Sequence, residues 1–255
     1  MDEIGKEQDM KLQQLLSYTR KAVDDYQMIQ PGDKIAIGIS GGKDSLALLY
    51  ALAGLRRFYP NPFELCAITV DLGFEGFDLS EIKALCEELQ VPYYVQKTEI
   101  GEVVFNVREE SNPCSLCAKL RKGAFNDKAK ELGCNKSAYA HHKDDVIETM
   151  LMSMLYEGRY NCFSPVTYLD RSDITLIRPL IYVEEADIIG FQHKYNLPVK
   201  KNPCPADGMT KRTDTKDLVK RLNEEYKGSK ERLFHAITDG PLPAWKKSEA
   251  VSKRK

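Results

Sequence analysis

The chain predicts an α/β fold: an open parallel sheet flanked by helices, with a helix before it and a helical segment after it. Three observations predict this. Short apolar segments rich in β-branched residues recur along the chain, as strands buried on both faces do. Each is followed by a longer stretch with helical spacing, the alternation of a parallel sheet with crossover helices. The chain has 255 residues, 42% hydrophobic and 29% charged, which is ordinary globular composition and enough for a sizeable core.

The elements follow in order. Residues 7–28 read as an amphipathic helix, with Leu12, Leu15, Leu16, Tyr18, Val23 and Tyr26 spaced for one face. Pro31-Gly32-Asp33 turns the chain into a first strand, Lys34–Ile39. Ser40-Gly41-Gly42 ends that strand, and Lys43–Phe58 reads as a helix. Glu64–Val70, Pro92–Gln96 and Ser137–Ala140 are predicted strands, and Thr175–Ile177 reads as a fifth. Ser80–Gln90, Ala118–Leu132, Asp144–Tyr156 and Glu184–Tyr195 are the helices between and after them. Thr213–Tyr226 and Ser229–Ile237 read as polar helices, and residues 160–171 carry no clear pattern. The organisation expected is an N-terminal helical segment over 1–30, an α/β domain over 31–205 and a basic helical segment over 206–255.

Charge narrows the function. Net charge is −1, from 37 basic and 38 acidic side chains, which excludes a polycationic nucleic-acid coat and a chain unfolded by its own repulsion. Residues 208–255 carry 13 Lys/Arg against 7 Asp/Glu, a local +6 that suits either a polyanion contact or a solvated face. No apolar run approaches the roughly 18 residues that span a bilayer, and no secretory segment is visible, so a cytoplasmic protein without membrane contact is expected. Among seven cysteines, Cys66, Cys86, Cys134 and Cys162 stand singly and read as small core residues.

Ser40-Gly41-Gly42-Lys43-Asp44-Ser45 lies between a predicted strand and a predicted helix. Unpaired amides at a helix N-terminus and glycines without Cβ atoms suit a phosphate, Lys43 adds a point charge, and Asp44 could hold Mg²⁺. The plain alternative is a turn with Ser40 as a cap. The spacing fits neither the Walker A pattern nor G-x-G-x-x-G. His141-His142-Lys143-Asp144-Asp145 opens another helix after a strand, with groups for proton transfer or Mg²⁺ binding beyond what capping needs. Cys114 and Cys117 form a C-x-x-C, and Cys204 follows 87 residues after Cys117 in a matching Asn-Pro-Cys context. Three sulfurs fit an iron–sulfur cluster, while zinc, a redox pair and plain packing remain open on spacing alone.

Ser40–Ser45 closely resembles the loop of PP-loop ATP pyrophosphatases, adenine-nucleotide α-hydrolase-like proteins that cleave ATP between the α and β phosphates. In such proteins the end of the second strand, here Val70-Asp71, meets the nucleoside. His141–Thr149 resembles the signature of PP-loop enzymes acting on tRNA, with Ala140 where relatives usually carry Gly. The chain as a whole resembles the TtcA family of tRNA-cytidine(32) 2-sulfurtransferases. Further matching pieces are Pro113–Cys117 with Lys119–Gly123, Ile177–Val183 and Asn202-Pro203-Cys204. The resemblance implies ATP, Mg²⁺ on Asp44 and a [4Fe-4S] cluster on Cys114, Cys117 and Cys204. It also implies tRNA as substrate, and adenylation of a base's C2 carbonyl before sulfur replaces the oxygen. Ser40, Gly41, Gly42, Lys43, Asp44, Ser45, Val70, Asp71 and His141 would bind ATP, and Asp44, Arg121 and Asp145 would serve catalysis. Lys119, Arg121, Lys122 and the C-terminal cations are candidate phosphate contacts. The sulfur donor would be a cysteine desulfurase or free sulfide, and a homodimer is compatible with this reading. The run Cys204–Gly208 carries one sulfur where several relatives carry two. A uridine thiolase, a lysidine-type ligase or a zinc-stabilised RNA-binding module are the rivals.

Overall fold

The structure, a computed structural model, describes residues 11–74, 76, 78–104, 113–200 and 211–248. Cys204, Asn202 and Pro203 lie outside the described residues, as do the start of the predicted 7–28 helix and the cations at 253–255. The chain runs α1 (Leu12–Asp25), β1 (Lys34–Gly38), α2 (Lys43–Arg56), β2 (Glu64–Asp71), α3 (Ser80–Glu88) and β3 (Tyr93–Lys97). It continues through the short α4 (Ile100–Glu102), α5 (Pro113–Glu131), β4 (Lys136–Ala138), α6 (Lys143–Glu157), β5 (Val166–Leu169) and β6 (Ile174–Ile177). It closes with α7 (Glu185–Lys194), α8 (Lys211–Glu225) and α9 (Ser229–Thr238).

The strands form one sheet in the order β3-β2-β1-β4-β6-β5. Alternation within each strand builds three layers, because successive side chains point to opposite faces. Ile35 and Ile37 of β1 and Leu65 and Ala67 of β2 join one large cluster with α1, α2, α3 and α7. Ala36, Cys66 and Ile68 point the other way, onto Phe125 and Ala129 of α5. β1 pairs in parallel with β2 on one side and β4 on the other, so the order of the strands reverses there. In an open α/β sheet the crevice at such carboxyl ends is the ligand site.

Four findings depart from the sequence reading. Tyr18 is 42% exposed, and Thr19 and Ala22 occupy the buried face of α1 instead. The unpatterned run contains β5, which pairs antiparallel with β6 and makes the sheet mixed at that edge. α5 begins at Pro113 rather than Ala118, so the C-x-x-C occupies the opening turns of the helix. Among the described residues the basic C-terminal segment is not a solvated tail. Val219, Phe234, Ile237 and Trp245 are buried, and Trp245 meets Tyr26 and Phe234 edge to face. Cys66, Cys86, Cys134 and Cys162 are all buried, as read.

Candidate active site

A cavity of about 520 Å³ opens at the carboxyl ends of β1, β2 and β4. That is ample for a small cofactor or nucleotide. Ser40, Asp44 and Ser45 line it from the loop after β1, Val70 from β2, His141 and Asp145 from the segment after β4, and Arg121 and Lys122 from α5. Ile39, Ile68, Phe125 and Tyr139 supply an apolar part of the wall. Gly41, Gly42, Lys43 and Asp71 sit beside the cavity rather than on its wall among the described residues.

The loop is held by its own hydroxyls. Ser45 Oγ donates to the Gly42 carbonyl at 2.8 Å, and the Gly42 amide donates to Ser40 Oγ at 3.3 Å. Gly41 has φ +83°, a conformation that costs glycine little and other residues more. The Lys200 amide donates to the Gly41 carbonyl at 2.9 Å, so the chain just before the Cys204 segment rests on the loop. Lys43 does not reach into the cavity. Its ammonium lies 3.2 Å from Asp44 and 3.1 Å from Glu185. Burial opposes its charge, and those two carboxylates outweigh the burial and hold its pKa above the ordinary value.

Asp44 has one satisfied oxygen and one that is not. Oδ2 accepts from Lys43, whereas Oδ1 is buried and accepts no hydrogen bond among the described residues, although Lys43 Nζ lies 3.2 Å and His142 Nε2 3.8 Å away. A buried carboxylate oxygen in that state suits a hard cation. Asp71 is turned to its own loop, accepting from the Gly73 amide at 3.0 Å.

The two histidines divide their work. His142 caps α6: its Nδ1 accepts from the Asp145 amide, and its own amide donates to Asp145 Oδ2 at 3.0 Å. His141 faces the cavity and accepts from Arg178 Nε at 3.3 Å. Burial drives the His141 pKa down to about 4 against the pull of Asp145, so the ring is neutral at pH 7.

Sequence reasoning missed what surrounds the acidic residues. Arg212 of α8 lies 2.6 Å from Asp145 Oδ1 and 3.7 Å from Glu148, and also reaches Thr149. Lys230 of α9 pairs with Asp144 at 2.6 Å, whose other oxygen accepts from the Glu185 amide at 2.8 Å. Asp144 therefore ties α6 to α7 and α9. Lys216 pairs with Glu185 at 2.6 Å, and Lys143 with Glu231. Three cations of the C-terminal helices, Arg212, Lys216 and Lys230, thus face these carboxylates, the first two while remaining 42% and 52% exposed. Arg178 had one legible signal, a cation directly after a buried strand at the level of Ser40 and His141. Arg212 had none, since its partner is 67 residues away.

Glu148 is buried, and burial first, then Asp145, raises its pKa from 4.5 to about 7. The folded state therefore holds this proton more tightly than the unfolded chain. The contribution to stability is full below pH 4.5 and is lost as pH rises toward 7. Glu148→Gln is expected to stabilise the protein at pH 8 by on the order of 1–3 kcal/mol and to leave it unchanged at pH 4. Urea denaturation at both pH values checks this, and an equal difference at both would remove charge burial as the cause.

Cys114 and Cys117 lie three residues apart in the first turns of α5, exposed and half-buried respectively. Ala118, Arg121 and Lys122, which line the cavity, follow on the same helix. No group of three metal-ligating side chains occurs among the described residues. With Cys204 outside them, two of the three predicted sulfurs are placed.

Comparison with known proteins decides the family. Residues 8–214 match the PP-loop domain family. A tRNA-cytidine(32) 2-sulfurtransferase of Geobacter sulfurreducens is 38% identical over 85% of this chain and 86% of its own length. The chain belongs to the tRNA-cytidine(32) 2-sulfurtransferase family. A Pelobacter propionicus member is likewise 38% identical, over 86% of this chain and 82% of its own. Among solved structures, the family's fold is shared by the U34-tRNA thiolase NcsA from Methanococcus maripaludis, determined with its [4Fe-4S] cluster. NcsA aligns with a TM-score of 0.72 and 25% identity over 89% of this chain and 79% of its own. No helix among the described residues is long and apolar enough to cross a membrane.

Proposed function

We propose that this sulfurtransferase-family member is an ATP-dependent tRNA thiolase that replaces the C2 oxygen of cytidine 32 by sulfur. The observation that carries the proposal is the cavity itself. Phosphate-loop residues Ser40, Asp44 and Ser45 face His141 and Asp145 across it, and its α5 wall descends from the helix turns that hold Cys114 and Cys117. The names and aligned lengths of the relatives support the substrate.

A C2 carbonyl is a weak electrophile, and oxide is a poor leaving group. In the first step the C2 oxygen attacks the α-phosphorus of ATP, and the bond to pyrophosphate breaks. Amides of the Ser40–Ser45 loop and the N-terminus of α2 would receive the phosphates. Asp44 would hold Mg²⁺ through its unsatisfied oxygen, offsetting the charge that builds on pyrophosphate. In the second step a sulfur nucleophile attacks C2, the C2–O bond breaks and AMP leaves. Arg121 stands on the cavity wall to stabilise the negative charge in that step.

Cys114, Cys117 and Cys204 would hold the [4Fe-4S] cluster, which supplies an iron open to bind the transferred sulfur. Their chemistry fits: soft thiols, two of them at the N-terminal turns of a helix whose dipole favours thiolate. Lys200 on Gly41 and Arg212 on Asp145 bring both described flanks of the Cys204 segment against the loop and cavity. Lys119 and Lys122, exposed on α5, are the cations best placed for tRNA phosphates, because Arg212, Lys216 and Lys230 are engaged with carboxylates.

Nucleoside analysis of tRNA from a deletion strain tests the assignment. Loss of 2-thiocytidine and its return on complementation are expected. Loss of a different thionucleoside would keep the chemistry and move the target.

A further inference from the structure

The run between α6 and β6, silent in the sequence, packs against His141, which lines the cavity. Phe163 lies against the His141 ring, with centroids 4.7 Å apart and planes inclined by 35°. The Arg178 guanidinium packs over the same phenyl ring at 4.8 Å. Arg178 Nη1 donates to the Ser164 carbonyl and, at 3.1 Å, to Thr167 Oγ1. The Arg178 amide donates to the Pro165 carbonyl at 3.1 Å. The guanidinium is thus fixed from three directions, and its Nε points at His141 Nδ1, 3.3 Å away.

This bond decides which nitrogen of His141 bears the proton. A guanidinium has only donors, so Nδ1 must present its lone pair. A neutral ring that accepts at Nδ1 carries its proton on Nε2. We propose that Arg178 and Phe163 are positioning residues that lock His141 as the neutral Nε2–H tautomer, making it a hydrogen-bond donor in the cavity rather than a proton acceptor. The burial that depresses the His141 pKa is consistent with this. An Nε2–H group in a site for adenylation meets an oxygen that gains negative charge. Two such oxygens exist in the reaction, one on the nucleotide's α-phosphate and one on the base carbonyl. The inference rests on the thiolase reading for its ligand, but not for the tautomer.

The test uses the full chain labelled with ¹⁵N-histidine. The protein has four histidines, so His141 is assigned by its loss in His141→Gln. Long-range ¹H–¹⁵N spectra at pH 7.5 should show a protonated Nε2 and a bare Nδ1. Arg178→Lys, which keeps a donor, should retain that pattern, and Arg178→Met should give a tautomer mixture. Glutamine places an amide donor near Nε2, and asparagine places one near Nδ1. His141→Gln should keep thiolation within about tenfold of wild type, and His141→Asn should lose roughly 10²-fold. If His141→Asn also weakens binding of a non-hydrolysable ATP analogue, the acceptor is phosphate. If binding holds and kcat falls, it is the base oxygen. An Nδ1–H tautomer or an imidazolium in the wild type, or equal activity in the two His141 variants, overturns the proposal. The spectra need no turnover, so they stand even where Arg178→Met fails to fold. A wild type that shows the Nε2–H tautomer yet makes no thionucleoside defeats the thiolase reading alone.

Discussion

Asp44→Ala is expected to lower ATP-dependent pyrophosphate release by roughly 10²–10³-fold, in line with the loss of a charge that acts on the transition state. The fold should survive. Lys43, the ion-pair partner of Asp44, keeps its contact with Glu185 at 3.1 Å, so no ammonium is left unpaired. Asp44→Asn keeps the shape and removes the charge, and should behave alike. Initial-rate pyrophosphate assays beside thermal melts separate the two effects. A large drop in melting temperature with normal pyrophosphate release would make Asp44 a structural residue of the loop.

Cys114→Ala and Cys117→Ala should each abolish thiolation to background and remove iron and acid-labile sulfide from anaerobically purified protein. Neither thiol lines the cavity, so ATP binding should persist. Cys114 is exposed, and in the apoprotein its truncation should cost stability no more than about 0.5 kcal/mol. Cys66→Ala and Cys86→Ala are the contrast. Those thiols are 2% and 0% exposed, so truncation removes core packing and leaves the cluster in place. Metal and sulfide analysis checks all four variants. Stoichiometric zinc without labile sulfide would replace the cluster by a structural metal.

The parts of the site that were legible in the sequence are those encoded locally. Ser40–Ser45 sits between two elements whose periods announce themselves, and its placement at the cavity follows from the end of β1. His141 and Asp145 were legible for the same reason, as they follow β4 and open α6. What failed to show depends on distant partners. β5 is four residues long with Tyr168 58% exposed, so an edge strand carried neither alternation nor an apolar run. The polar faces of α8 and α9 look solvated in sequence because their carboxylate partners on α6 and α7 come from elsewhere in the chain. The role of His142 as a cap was hidden beside that of His141, since the same letters serve a helix terminus and a reacting site.

The most direct measurement is a single-turnover reaction of the anaerobic holoprotein with tRNA, Mg²⁺, sulfide and ATP labelled in the α-phosphate. One AMP and one pyrophosphate should appear for each 2-thiocytidine formed at position 32. ADP with orthophosphate, or 2-thiocytidine formed without ATP cleavage, would contradict adenylation as the step that activates the base.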